Sequence, residues 1–153
     1  MFDASYDDTP IEVLLVEDSP GDVRLTRDAL RDVNRAIHLH VAEDGVEAMA
    51  FLHRHGGYAN ATRPDLILLD LNLPRMDGRE VLASIKADSN LKDIPTIILT
   101  TSEAEIDITE SYKLQANCYL SKPVRLDAFE SVVKSINEFW LTRAKLPGHS
   151  RSS

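Results

Sequence analysis

Four apolar runs along the 153-residue chain each deliver a reactive side chain at or just past their ends. The carboxylates Glu17 and Asp18 follow "IEVLLV", Asp70 follows "LILL", Thr100 closes "PTIILT", and Lys122 follows "NCYLS". Brought to one place, three carboxylates repel one another and need a cation at neutral pH. Hard oxygen ligands with room for water suit Mg2+, which is commonly held by one or two carboxylates together with phosphate oxygens. A carboxylate can also act as a nucleophile and take a phosphoryl group. Such a transfer depends on positioning and on positive charge at the equatorial oxygens. Mg2+ and Lys122 would supply that charge, and the Thr100 hydroxyl would donate to a phosphoryl oxygen. Asp70, at the end of a run of four apolar residues, is the expected acceptor.

The elements that must position these groups alternate in a regular way. "IEVLLVE" reads as a buried strand, followed by a helix with Val23, Thr26, Leu30 and Val33 on one face. "IHLHVA" alternates as a less buried edge strand does, and "DGVEAMAFLHRH" is helical. "DLILLD" and "DGREVLASIKA", then "PTIILT" and "SEAEIDITESYKL", repeat the strand and helix pair. "NCYLS" is a short fifth strand before a last helix from Leu126 to about Leu141. Ser19 with Asp22, Asp44 with Glu47, Asp77 with Glu80 and Ser102 with Glu105 each set a capping residue three before an acid. Pro20 suits the first helical position, where a missing N–H costs nothing.

Five such units predict an α/β fold, a doubly wound five-stranded parallel sheet with helices on both faces. In strand order 2-1-3-4-5 the reactive residues converge beyond the carboxyl ends of the strands, where such sheets bind ligands. Residues 1–10 read as a flexible leading segment, 11–143 as one domain and 144–153 as a tail. The net charge of -8 argues against non-specific nucleic-acid binding. One cysteine, no apolar leader and no membrane-length apolar run fit a soluble cytoplasmic protein.

The set "VEDS", "LLDLNLPRMDG", "ILTTS" and "YLSKP" resembles the CheY-like receiver domain of bacterial two-component response regulators over nearly the whole chain. The resemblance implies a flavodoxin-like fold and a phosphorelay function, with Asp70 phosphorylated by a sensor histidine kinase. It implies that Asp18 binds Mg2+ directly, Glu17 through water and Asn72 through its backbone carbonyl. Thr100 and Tyr119 would be the switch residues, Lys122 the ammonium at the phosphate, and Lys122–Pro123 a cis bond. The loop "HGGYANATRPDLILLDLNLP", "LQANCYLSKP" and the ending "INEFWL" further resemble the single-domain regulators that partner bacterial phytochromes. With no output domain after the last helix, the effect would run through a partner or a change of assembly.

Two other classes compete. An Mg2+-dependent aspartyl-phosphate phosphohydrolase wants a second carboxylate two residues past its nucleophile, where this chain has Asn72. A flavodoxin-like FMN binder wants a phosphate-cradling loop of small residues after the first strand, where this chain has the acidic "EDSPGD". Cys118 reads as a core residue, and no histidine is assigned to metal or catalysis. Phe129, Val132, Val133, Ile136 and Trp140 form an apolar stripe on the last helix. Phe139 and Leu141 fall beside it and Leu146 continues it, so a homodimer through this helix end and tail is expected.

Overall fold

The structure, a computed structural model, describes residues 10–31, 36–101, 104–123, 125–136, 138–139 and 147. Among the described residues five strands and five helices alternate: β1 Ile11–Val16, α1 Pro20–Arg31, β2 Ile37–Ala42, α2 Gly45–His53, β3 Leu66–Leu69, α3 Gly78–Ala87, β4 Thr96–Thr100, α4 Glu105–Lys113, β5 Cys118–Ser121 and α5 Leu126–Ile136. A 3-10 turn, Gly56–Tyr58, lies between α2 and β3. The strands are ordered β2-β1-β3-β4-β5 and every neighbouring pair is parallel. The fold is thus the doubly wound sheet that the strand and helix alternation predicts.

Strand side chains alternate between two apolar layers. Leu14, Val16, Ile67, Leu69 and Ile98 meet Ala48, Phe51 and Leu52 of α2 and Val81, Leu82 and Ile85 of α3. Ile11, Val13, Leu15, Leu66, Leu68, Ile97 and Leu99 meet Ala29 and Leu30 of α1 and Phe129, Val133 and Ile136 of α5. All four residues of β3 are fully buried, because that strand is central and covered on both faces. Each such side chain contributes about 1.5–3 kcal/mol relative to exposure, so the core can tolerate charged groups gathered at one edge.

β2 is an edge strand and only Ala42 in it is buried. His38 and His40 lie on its polar positions and share one carboxylate: His38 Nδ1 is 2.9 Å and His40 Nε2 2.7 Å from Glu12. Three of the four expected helix starts are realised. Ser19 Oγ accepts from Asp22 N–H at 3.3 Å, Asp44 Oδ1 from Glu47 N–H at 2.7 Å, and Asp77 Oδ1 from Arg79 N–H at 2.7 Å. The fourth differs: α4 begins at Glu105 with Ala104 at its N-cap and no side-chain cap. The first-turn acids Glu105 and Asp107 instead face the positive end of the helix dipole. Ser102, expected as that cap, lies outside the described residues, as do Val33 and residues 1–9. The α5 stripe is borne out for Phe129, Val133 and Ile136, which are buried. Trp140, Leu141 and Leu146 lie outside the described residues.

Candidate functional site

Glu17, Asp70 and Lys122 are each held by the last rung of a strand ladder. Glu17 N–H donates to Ala42 O at 2.9 Å, Asp70 N–H to Val16 O at 3.1 Å and Lys122 N–H to Thr100 O at 2.6 Å. The backbone therefore stays in register with the sheet just where the side chains turn toward the loop edge. This is why residues far apart in the chain meet with little positional freedom.

The meeting is close. Asp70 Oδ1 accepts from the Thr100 hydroxyl at 2.8 Å and from the Asn72 N–H at 3.1 Å. Asp70 Oδ2 accepts from Lys122 Nζ at 3.0 Å. The same ammonium donates to Glu17 Oε1, and to Asp22 Oδ2 at 2.9 Å. Glu17, Asp70, Thr100 and Lys122 are all buried, while Asp18 and Asn72 are exposed at the mouth. Tyr119 pairs with Ile98 and shares the sheet face of Thr100, half-buried against the α2 and α3 layer.

Burial drives Glu17 upward, and although Lys122 opposes this, the Asp70 charge adds to it and the carboxyl is pushed up to about 7. Burial alone would lower Lys122, but its hydrogen bonds to Glu17 and Asp22 and the charges of Asp70 and Glu17 outweigh that and hold it above its ordinary range. Lys122 is therefore an ammonium throughout the physiological range. One ammonium faces four carboxylates, counting Asp18 and Asp22, so the cluster has room for further positive charge.

Glu17, Asp18 and Asp70 each offer a carboxylate oxygen, and these atoms lie within 4.8 Å of one another. Three hard oxygens around an opening to solvent fit a small divalent cation that keeps some of its water, the chemistry of Mg2+. Of the residues expected from the sequence, the structure brings together Glu17, Asp18, Asp70, Thr100 and Lys122, with Asn72 beside Asp70. One expectation fails. No peptide bond among the described residues is cis, so Lys122–Pro123 is trans. The two isomers of an X–Pro bond differ by only about 0.5–1 kcal/mol, and the bond from Lys122 N–H to Thr100 O already fixes the chain there.

Three participants were not read from the sequence. Asp22 reaches Lys122 from α1. Arg75, in a left-handed conformation at φ 66°, places its guanidinium 3.2 Å from Asp44 and ties the β3–α3 loop to the start of α2. Arg79 joins Asp77 at 3.0 Å to Asp107 of α4 at 2.5 Å, linking α3 to α4 beside the site. All three are charged loop or first-turn residues near the strand ends, the one signal that distinguishes them.

The description "response regulator receiver domain" matches the chain over residues 13–134. The response regulator Rcp1 of Synechocystis sp. is 49% identical over 138 residues, covering 90% of this chain and 94% of that one. The crystal structure of the phosphorylated cyanobacterial phytochrome response regulator RcpA superposes with a TM-score of 0.89 at 51% identity, covering 91% of this chain and 99% of that one. The Mn2+-bound form of Rcp1 also gives 0.89 at 49% identity, covering 90% and 99%.

Proposed function

Because this chain belongs to the family of response regulator receiver domains, we propose that it takes a phosphoryl group from a sensor histidine kinase onto Asp70 and passes the signal on by a change of surface. The observation that carries this reading is the bracketing of one buried carboxylate. Asp70 has the Thr100 hydroxyl at 2.8 Å and the Lys122 ammonium at 3.0 Å on its two oxygens. An oxygen of Asp70 forms a bond to phosphorus as the bond from phosphorus to the donor imidazole breaks, and the imidazole keeps that electron pair. Lys122 balances the charge that spreads over the phosphoryl oxygens. Glu17, Asp18, Asp70 and the Asn72 carbonyl would hold Mg2+, which when bound neutralises charge on those oxygens. The protein acts as a signalling switch in the cytoplasm and not as a turnover enzyme.

The named relatives support a kinase of the phytochrome class as the donor. A purified phytochrome kinase, autophosphorylated with ATP, is expected to transfer label to this chain faster than unrelated histidine kinases do. Equal or slower transfer from the phytochrome kinase, in a chain that small phosphodonors label well, removes that assignment.

Phosphorylation adds charge and strong acceptor oxygens. Thr100 then leaves Asp70 Oδ1 for a phosphoryl oxygen, and Tyr119, on the same sheet face, follows into the space. α4, β5 and α5 form the surface that changes. Thr100→Ala is expected to be labelled without the change in amide exchange that wild type shows across α4, β5 and α5. An equal change in the variant contradicts this coupling.

The assembly reading rests on large apolar groups that are partly exposed to solvent. Phe139, three residues past α5, is 56% exposed, and Ile106 and Tyr112 are exposed on α4. Aromatic side chains in such positions favour interfaces. The chain forms a homodimer in which Phe139, Trp140, Leu141 and Leu146 pack against a second copy. Truncation after Asn137 is expected to give a monomer by sedimentation where the full chain is a dimer. A full chain that stays monomeric at high concentration, phosphorylated or not, rules the dimer out.

A further inference from the structure

Asp22 has an unusual freedom for a residue three positions into a capped helix start. In a reciprocal cap its carboxylate would return to the Ser19 N–H. That N–H is already donated to Glu17 Oε2 at 3.1 Å. The Asp22 main chain is pinned regardless, its N–H to Ser19 Oγ at 3.3 Å and its carbonyl accepting from the Thr26 hydroxyl at 2.8 Å. The released carboxylate points at the strand edge and meets Lys122 Nζ at 2.9 Å.

An ammonium has three N–H donors, and here Glu17, Asp22 and Asp70 take them. Two of these carboxylates change role during the proposed chemistry. Glu17 and Asp70 belong to the group whose oxygens converge as a cation site, and Asp70 also becomes the acyl phosphate. Asp22 does not belong to that group among the described residues. Among the described residues it is the one counter-ion of Lys122 whose bond can persist unchanged from the free site to the phosphorylated one.

We infer that Asp22 is a positioning residue: it holds the Lys122 ammonium so that a remaining N–H is aimed at the phosphoryl group on Asp70. The inference rests on the reading of Asp70 as the acceptor. Its size follows from the setting. A charge-assisted hydrogen bond to a group whose partner is 30% exposed is partly screened. Its loss slows a reaction moderately and does not stop it.

The test uses the full chain, saturating Mg2+ and a small phosphodonor such as phosphoramidate. Asp22→Asn is isosteric and keeps the backbone bonds of the helix start. It is expected to lower the limiting labelling rate about tenfold, with the half-saturating Mg2+ concentration within about twofold of wild type. Asp22→Glu, which restores the charge, is expected to recover most of that rate. In a Lys122→Met background, where there is no ammonium to hold, Asp22→Asn is expected to change nothing further. Asp22→Asn labelled at the wild-type rate overturns the inference, and so does an undiminished loss in the Lys122→Met background. A wild-type chain that takes no label overturns the acceptor reading itself, a result separate from either of these.

Discussion

Replacing Gly78 by Ala is expected to destabilise the protein by about 3 kcal/mol or more and to slow its phosphorylation. Gly78 is the first residue of α3, where Ala would ordinarily gain up to about 1 kcal/mol in helix propensity. Steric overlap decides against that gain. A Cβ at Gly78 would lie 2.2 Å from the Asp70 carbonyl oxygen and 2.6 Å from the Leu71 Cα. Both neighbours are backbone, and the Gly78 N–H is bonded to Leu71 O at 3.0 Å, so α3 cannot move away without breaking that bond. The segment that must give is the one carrying Asp70 and the Asn72 N–H that caps it. Gly57→Ala is the matching control, because a Cβ there meets nothing within 4 Å. Urea unfolding of the two variants checks the claim. Equal stabilities would show that α3 is not seated this tightly on the β3–α3 loop.

Gly78 also illustrates what the sequence makes legible. The pair Asp77-Gly78 reads as a helix start, which it is, but the close approach to Asp70 depends on how α3 is laid over the sheet. The same division runs through the site. Glu17, Asp70, Thr100 and Lys122 are readable because they stand at the ends of apolar runs. A parallel sheet carries all strand ends of one polarity to one edge whatever the details of packing. Asp22 is read as the acid of a capping box whose cap is Ser19, and its backbone N–H does meet Ser19 Oγ. Its carboxylate goes elsewhere because Glu17 has taken the Ser19 N–H, a competition between two elements that spacing does not encode. Arg79 with Asp107, and Glu12 with His38 and His40, are pairs between different elements, equally silent in local pattern. The start of α4 shows the limit of a motif. "SEAE" has the letters of a capping box, yet Ala104 occupies the N-cap and Arg79 engages Asp107 in the first turn.

Asp70→Asn is the substitution with the largest expected effect on function. The amide has nearly the shape of the carboxylate and can still accept from Thr100, so the fold is expected to persist. Removing one of several packed negative charges also relieves repulsion on Glu17. What is lost is the nucleophile. A neutral amide oxygen is far less nucleophilic than a carboxylate, and labelling is expected to fall at least about a thousandfold. Asp18 stands close by and is better exposed. It is not expected to substitute, because the bonds from the Thr100 hydroxyl and the Lys122 ammonium go to Asp70.

Intact-mass spectrometry of wild type and Asp70→Asn after incubation with a small phosphodonor and Mg2+ tests the central claim most directly. The account predicts one added phosphoryl group on wild type, placed on Asp70 by fragmentation, and none on the variant. Undiminished labelling of Asp70→Asn, or a wild-type label on any other residue, would contradict it.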